Sequence, residues 1–325
     1  MAYMGFVEVL ANLRAISRNI KTCKEDLRQY KPDVLILIDY AGFNLRIARF
    51  AKSLGITVFF YISPKIWAWK ESRIKLIKEY VDRMFVILPF EVDYYVKHNM
   101  IVDYEGNPLM DAIAAKKNEA KRFNDFTFEN HLMIKPIIAL LAGSRKQEVE
   151  RCLPEMLAIT EDFPDYQFVV AGSPSLEIDF YDKYIENHNV KIVYNKTYDL
   201  LLHAHAAIVT SGTATLETAL FKVPQVVIYK TSPVTYHVGK QFFNIKFFSL
   251  VNLIMDKEVV KELLQFNLAH EIKNELKNIL NDETYRKDML ENYEIIANKI
   301  GTPGVSERIA SKMFTYLNNN AIDEF

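Results

Sequence analysis

Cysteine is almost absent from this chain: Cys23 and Cys152 are the only two in 325 residues. They have no partners at the spacing of a metal site or a disulfide framework, which argues against zinc chemistry and for a reducing compartment. No apolar run approaches the roughly 18 to 20 residues that a membrane span requires. The first residues lack a charged-then-apolar export pattern, so a cytosolic protein is expected. Internal repeats and low-complexity tracts are missing as well. The histidines form no ligand set; His203 and His205, two apart, would point to different faces of a helix and are read as structural. No metal site follows from the sequence.

What is present is ordinary for a globular protein: 50% hydrophobic and 25% charged residues, with a net charge of −1. The length is enough for two domains with separate cores. The charge is uneven, with 20 Lys+Arg against 15 Asp+Glu up to residue 125 and 20 against 26 beyond it. A basic N-terminal half can attract phosphates or an anionic membrane surface, although a solvated basic surface has the same composition.

Strand and helix signals alternate. Strands are expected at Pro32–Asp39, Ile56–Ile62, Met84–Leu88 and Met100–Tyr104, with amphipathic helices near 43–54, 71–81 and 90–98. The polar, charged stretch 116–132 is expected to link two domains, 1–115 and 133–300. Beyond it, strands are expected at Ile137–Ala142, Tyr166–Ala171, Val190–Tyr194, Ala206–Thr210 and Gln225–Tyr229, with helices between them and a helical chain from about 257. After a break at 301–304, a last helix within 301–325 is expected to pack back on the first domain. The fold class is α/β, with two Rossmann-like βα domains facing each other across a cleft.

Two strand-turn-helix motifs stand out. Residues 136–150 (PIIALLAGSRKQEVE) and 211–217 (SGTATLE) each place small residues where a helix begins, presenting N-terminal amides to an anion. Arg145 adds a fixed fork of donors suited to a diphosphate. Any strand-to-helix turn uses Gly and Ser, so either motif alone is weak; the pair points to a nucleotide or sugar-phosphate site. Asp39 ends the run Val34-Leu35-Ile36-Leu37-Ile38 at a carboxyl-terminal strand rim, where a carboxylate can act as general base or simply cap the next helix.

Trp67 and Trp69 flank Ala68, and Lys70, Arg73, Lys75 and Lys78 follow along a helical stretch. Amphipathic aromatics beside basic residues suit docking on an anionic bilayer. Tryptophans in a core beside a solvated basic helix would give the same pattern.

The segments MGFVEVL (4–10), PDVLILIDYAGFN (32–44), YISPKIWAWK (61–70), LPFE (88–91), LAGSRKQEV (141–149), SGTATLE (211–217) and SLVNLI (249–254) resemble, in this order, the lipid-A-disaccharide synthases. The resemblance runs through essentially the whole chain. It implies the GT-B glycosyltransferase architecture and transfer of 2,3-diacylglucosamine from its UDP derivative to 2,3-diacylglucosamine 1-phosphate, inverting and with no cofactor. By the same resemblance Asp39 would be the general base, and Gly143, Ser144, Arg145, Ser211, Gly212 and Thr213 would hold the diphosphate. Glu217 would accept from the ribose hydroxyls, and Asn252, in the loop after the last strand, would contact the donor. Glu262 and Gln265, three apart on one helical face, would line the cleft unless they are a solvated surface. Trp67, Trp69, Lys70 and Arg73 would meet lipid, placing the protein in the cytoplasm, peripheral on the inner face of the inner membrane. A homodimer is compatible with this reading, and nucleic acid is not an expected partner.

Departures from the family pattern carry expectations too. The usual G-E-x-S-G-D turn upstream of MGFVEV is not found, implying a first domain shortened by about 60 residues, with an exposed strand edge. Gly106-Asn107-Pro108 stands where Gly-His-Pro is usual, so Asn107 is a positioning candidate that cannot titrate near neutral pH. Two other readings stand beside transferase activity: a different UDP-sugar enzyme of the same fold, and a UDP-binding module without turnover.

Overall fold

Short apolar runs with little polar alternation become parallel strands because both faces of such sheets are covered by helices. The computed structural model describes residues 13–68, 71–232 and 246–318. The chain divides into two compact units, Met1–Asn107 with Gly304–Phe325, and Pro108–Pro303.

In the first unit helix α1 (Leu13–Tyr30) leads into β1 (Val34–Ile38), α2 (Ala41–Ser53), β2 (Thr57–Tyr61), α3 (Ile74–Tyr80), β3 (Arg83–Val86), α4 (Pro89–Lys97) and the two-residue β4 (Asp103–Tyr104). The strands form one parallel sheet in the order β1-β2-β3-β4. Helix α2 turns Leu45, Ile47, Ala48 and Ala51 into a core with Val58, Phe60, Met84 and Val86. Strand β1 lies at the sheet edge with Ile36 and Ile38 exposed. The last helix, α14 (Val305–Asn318), also belongs to this unit. Its Tyr316 hydroxyl donates to Asp103 at 2.9 Å, and Lys312 lies 2.8 Å from Asp103 and 2.7 Å from Glu105.

The second unit begins with α5 (Leu109–Asn118) and α6 (Phe123–Glu129). Then come β5 (Ile137–Leu141), α7 (Lys146–Leu157), β6 (Gln167–Gly172), α8 (Asp179–Ile185), β7 (Lys191–Tyr194), α9 (Thr197–His203), β8 (Ala204–Thr210), α10 (Thr213–Leu220) and β9 (Gln225–Tyr229). After the undescribed stretch come α11 (Leu250–Met255), β10 (Glu262–Leu264), α12 (Leu268–Asn281) and α13 (Glu283–Ile300). All six strands are parallel, in the order β10-β9-β8-β5-β6-β7. Every residue of β5 and β6 is buried.

Two expectations differ from the structure. In place of a linker over 116–132, helices α5 and α6 belong to the second unit, where Lys116 pairs with Asp199 at 2.8 Å and Lys117 donates to the Leu220 carbonyl at 3.1 Å. These are surface helices with few buried anchors, Ile113 on α5, Phe126 and Thr127 on α6, so their composition resembles that of a connection. The chain is also not purely helical beyond 257, since Glu262–Leu264 adds to the sheet edge beside β9. No helix among the described residues is long and apolar enough to cross a membrane.

Candidate active site

From β5 the chain of the second unit moves outward to β6 and β7, then returns to place β8 on the opposite side of β5. Such a reversal opens a crevice at the carboxyl ends of the two strands, where open α/β sheets bind ligands. Leu141 and Val209 are register partners. The loops 142–145 and 211–213 therefore leave from neighbouring strand ends, and the two motifs are brought together.

The first loop is shaped by its own helix. Glu148 accepts from the amides of Ser144 at 3.1 Å and Arg145 at 3.3 Å, and its other oxygen takes the Arg145 guanidinium at 2.9 Å. Gly143 has a φ of +110°, and a Cβ there would lie 2.6 Å from the Glu148 carboxylate. The Ser144 carbonyl accepts from Ser175 Oγ at 2.5 Å. The expectation that the Ser144 amide is open to phosphate is thus corrected, because an internal carboxylate already occupies it. Arg145, with its side chain 46% exposed, keeps most of its five donors available.

The second loop is open. The Ser211 amide donates to Ile228 O at 2.8 Å and its hydroxyl to Phe248 O at 2.9 Å. A Cβ on Gly212 would meet nothing within 4 Å. The amides of Thr213 and Ala214 open α10 without intrahelical acceptors, and no group of the described residues accepts from them. One turn on, Glu217 accepts from the Tyr198 hydroxyl at 2.7 Å. Burial pushes its carboxyl above the ordinary range, against the opposing pull of that hydrogen bond.

Asn252, Glu262 and Gln265 take other positions than expected. Asn252 lies in α11, not in a loop, and is fully buried. Its amide donates to Val260 O at 2.9 Å and Glu262 at 2.8 Å, and its carbonyl accepts from the amides of Val259 and Val260 at 2.8 and 3.0 Å. With all four bonds committed inside the protein it cannot also contact a donor sugar. Glu262 lies in β10, not on a helix; it accepts from the Phe248 and Ser249 amides and from Ser249 Oγ. Gln265 follows β10 and exchanges bonds with the Thr231 backbone at 3.0 and 2.8 Å. This network holds segment 248–250, whose Leu250 amide donates to Thr215 Oγ1 at 3.2 Å. It braces the turn at 211–215. Glu148, Tyr198, Thr215 and Ser249 were not sequence candidates. Glu148, three residues after the helix-starting Arg145, and Ser249, whose side chain caps α11, carry recognisable capping signals.

In the first unit, the carboxyl edge of the sheet is strained. Asp39 and Tyr40 adopt φ of +47° and +42° in succession, and Ile62, following the neighbouring strand, adopts +62°. Left-handed conformations at non-glycine residues cost of order 1–3 kcal/mol each and cluster at functional sites. Asp39 is exposed, and its amide donates to Tyr61 O at 3.0 Å. The cap of α2 is Tyr40 and no side chain caps that helix, which removes the capping reading of Asp39. Asn107 is buried and donates to Ile87 O at 3.0 Å, tying the chain after β4 to the end of β3.

Trp67 is half-buried and tied to the protein by its indole. Its indole N–H donates to Glu91 at 3.2 Å and its ring stands edge-on to Phe90 at 5.0 Å. Glu91 is buried and also accepts from Ser63 Oγ at 2.6 Å and the Leu88 amide at 2.9 Å. Burial pushes the Glu91 carboxyl up against these bonds. The bond ties the polar edge of Trp67 to the protein, while the residue as a whole stays half-buried. Arg73 is half-buried in a 3-10 turn, and Trp69 and Lys70 lie outside the described residues.

Comparison with known proteins agrees with this architecture. Solved structures of similar fold include the UDP-GlcNAc 2-epimerase of Neisseria meningitidis bound to UDP-GlcNAc, at a TM-score of 0.66 and 14% identity over 97% of this chain and 83% of that one. S. aureus MnaA with UDP gives a TM-score of 0.64 and 14% identity over 94% and 81%. Among curated proteins, the lipid-A-disaccharide synthase of Syntrophus aciditrophicus is 38% identical over 98% of this chain and 84% of its own length. That of Geobacter sulfurreducens is 36% identical over 95% and 82%. The family profile described as lipid-A-disaccharide synthetase matches residues 1–307. The chain belongs to the lipid-A-disaccharide synthase family, glycosyltransferases of the GT-B fold.

Proposed function

We propose that the chain transfers 2,3-diacylglucosamine from its UDP derivative to the 6-hydroxyl of 2,3-diacylglucosamine 1-phosphate. The products are the β-1,6-linked disaccharide 1-phosphate and UDP. The observation that carries the nucleotide half of this reading is the switch point between β5 and β8, where the two helix-starting loops leave adjacent strands. Thr213 and Ala214 amides and the Arg145 guanidinium would offset charge developing on the departing diphosphate. Glu217 would accept from the ribose. Asp39, exposed at a strained strand end, would take the acceptor's proton as its oxygen attacks the anomeric carbon with inversion.

The basic first unit would rest on the inner leaflet, with exposed Lys75 and Lys78 contributing beside the half-buried Trp67. Failure to bind anionic liposomes at low salt would contradict that placement. The reaction itself is tested by incubating the protein with both lipid substrates. Equimolar UDP and β-linked disaccharide are expected, whereas UDP binding without any disaccharide would reduce the chain to a nucleotide-binding module.

A further inference from the structure

We infer that Asn44 is a positioning residue for the transfer reaction, aiming the Asp39 carboxylate through its backbone. This rests on the reading of Asp39 as the general base. Among the described residues nothing hydrogen-bonds the Asp39 side chain, so the backbone of residue 39 sets the direction in which its Cα–Cβ bond carries the carboxylate. That backbone is left-handed, and so is that of Tyr40, a pair of conformations that L side chains disfavour.

Several contacts hold the pair. The Asp39 amide is fixed on Tyr61 O across β2, and the amides of Phe43 and Asn44 both donate to Tyr40 O at 3.1 Å. The carbonyls of Ile38 and Asp39 are left at the strand end. The Asn44 amide nitrogen bonds both, at 3.0 and 2.7 Å, and its side chain is buried on the core face of α2 beside Leu45 and Ile47. One buried amide therefore joins the last residue of β1, the residue carrying the carboxylate and the helix behind them. Without it two consecutive carbonyls lose their donor, and residues 39 and 40 can relax toward ordinary right-handed or extended conformations. An aspartate at the same place would repel both carbonyls; only an amide supplies two donors from one nitrogen at this length.

The test is a double-mutant cycle of Asn44→Ala and Asp39→Ala, reading kcat, acceptor KM and UDP affinity. Both tryptophans lie at 67 and 69, so their emission monitors the fold of the first unit. Asn44→Ala is expected to lower kcat about 10- to 100-fold, leave UDP affinity unchanged, and shift acceptor KM by less than about twofold. In the Asp39→Ala background it should have no further effect. An undiminished kcat in Asn44→Ala overturns the inference, and so does an equal fold-loss in both backgrounds, which would mark a merely structural residue. Should the alanine variant alter tryptophan emission, Asn44→Ser, with one donor in place of two, is expected to give an intermediate kcat. A wild-type rate in Asp39→Ala alone would instead remove the base reading, and this inference with it.

Discussion

The carboxylate of Glu148 occupies the space where a side chain on Gly143 would begin, 2.6 Å from the position of its missing Cβ. Glycine at 143 is therefore required by the protein's own capping carboxylate as well as by a φ of +110°. Gly143→Ala should lower stability by about 1–3 kcal/mol and displace Glu148, loosening Arg145. Thermal melting beside a UDP titration checks this: a lower Tm with weaker UDP binding is expected, and an unchanged Tm would contradict the packing.

Asn252 supports the turn at 211–215 at a distance. Asn252→Ala strands the buried amides of Val259 and Val260 and frees segment 248–250, which contacts Ser211 and Thr215. A loss of about 2–4 kcal/mol is expected. Denaturant unfolding should show it, together with weaker UDP binding. Loss of UDP affinity at full stability would instead make Asn252 a direct donor contact.

Much of this architecture was legible in the sequence, because apolar runs such as Ile137–Leu141 and Gln225–Tyr229 have strand length and clear turn boundaries. The two strand-turn-helix motifs were visible for the same reason. What escaped was set by distant partners. Glu262 lies six positions before helix α12 and nothing local marks it as a strand residue; pairing with β9 decides that. The bond that anchors the Trp67 indole was not legible because its partner, Glu91, is 24 residues away. The stretch 116–132 resembled a linker because so few side chains of α5 and α6 are buried.

Glu217 gives a pH signature. Its carboxyl is raised in the folded protein, chiefly by burial, so it favours folding when neutral, fully so below the unfolded carboxyl range near about pH 4.3. That contribution is lost as pH rises through the folded value. Glu217→Gln, neutral at all pH, should raise Tm at pH 7 to 8, with the gain shrinking as pH falls toward 4. Melting curves across this range check the sign, and a gain that grows on acidification would contradict it. The same variant should bind UDP more weakly, having lost the charged ribose acceptor.

The central claim is glycosyl transfer with Asp39 as base, tested most directly by disaccharide formation in the native chain and in Asp39→Asn, with UDP affinity measured on the same preparations. The account predicts turnover by the native protein and a loss of about 10²- to 10⁴-fold in the variant, at unchanged UDP affinity. Equal rates in the two proteins would contradict it.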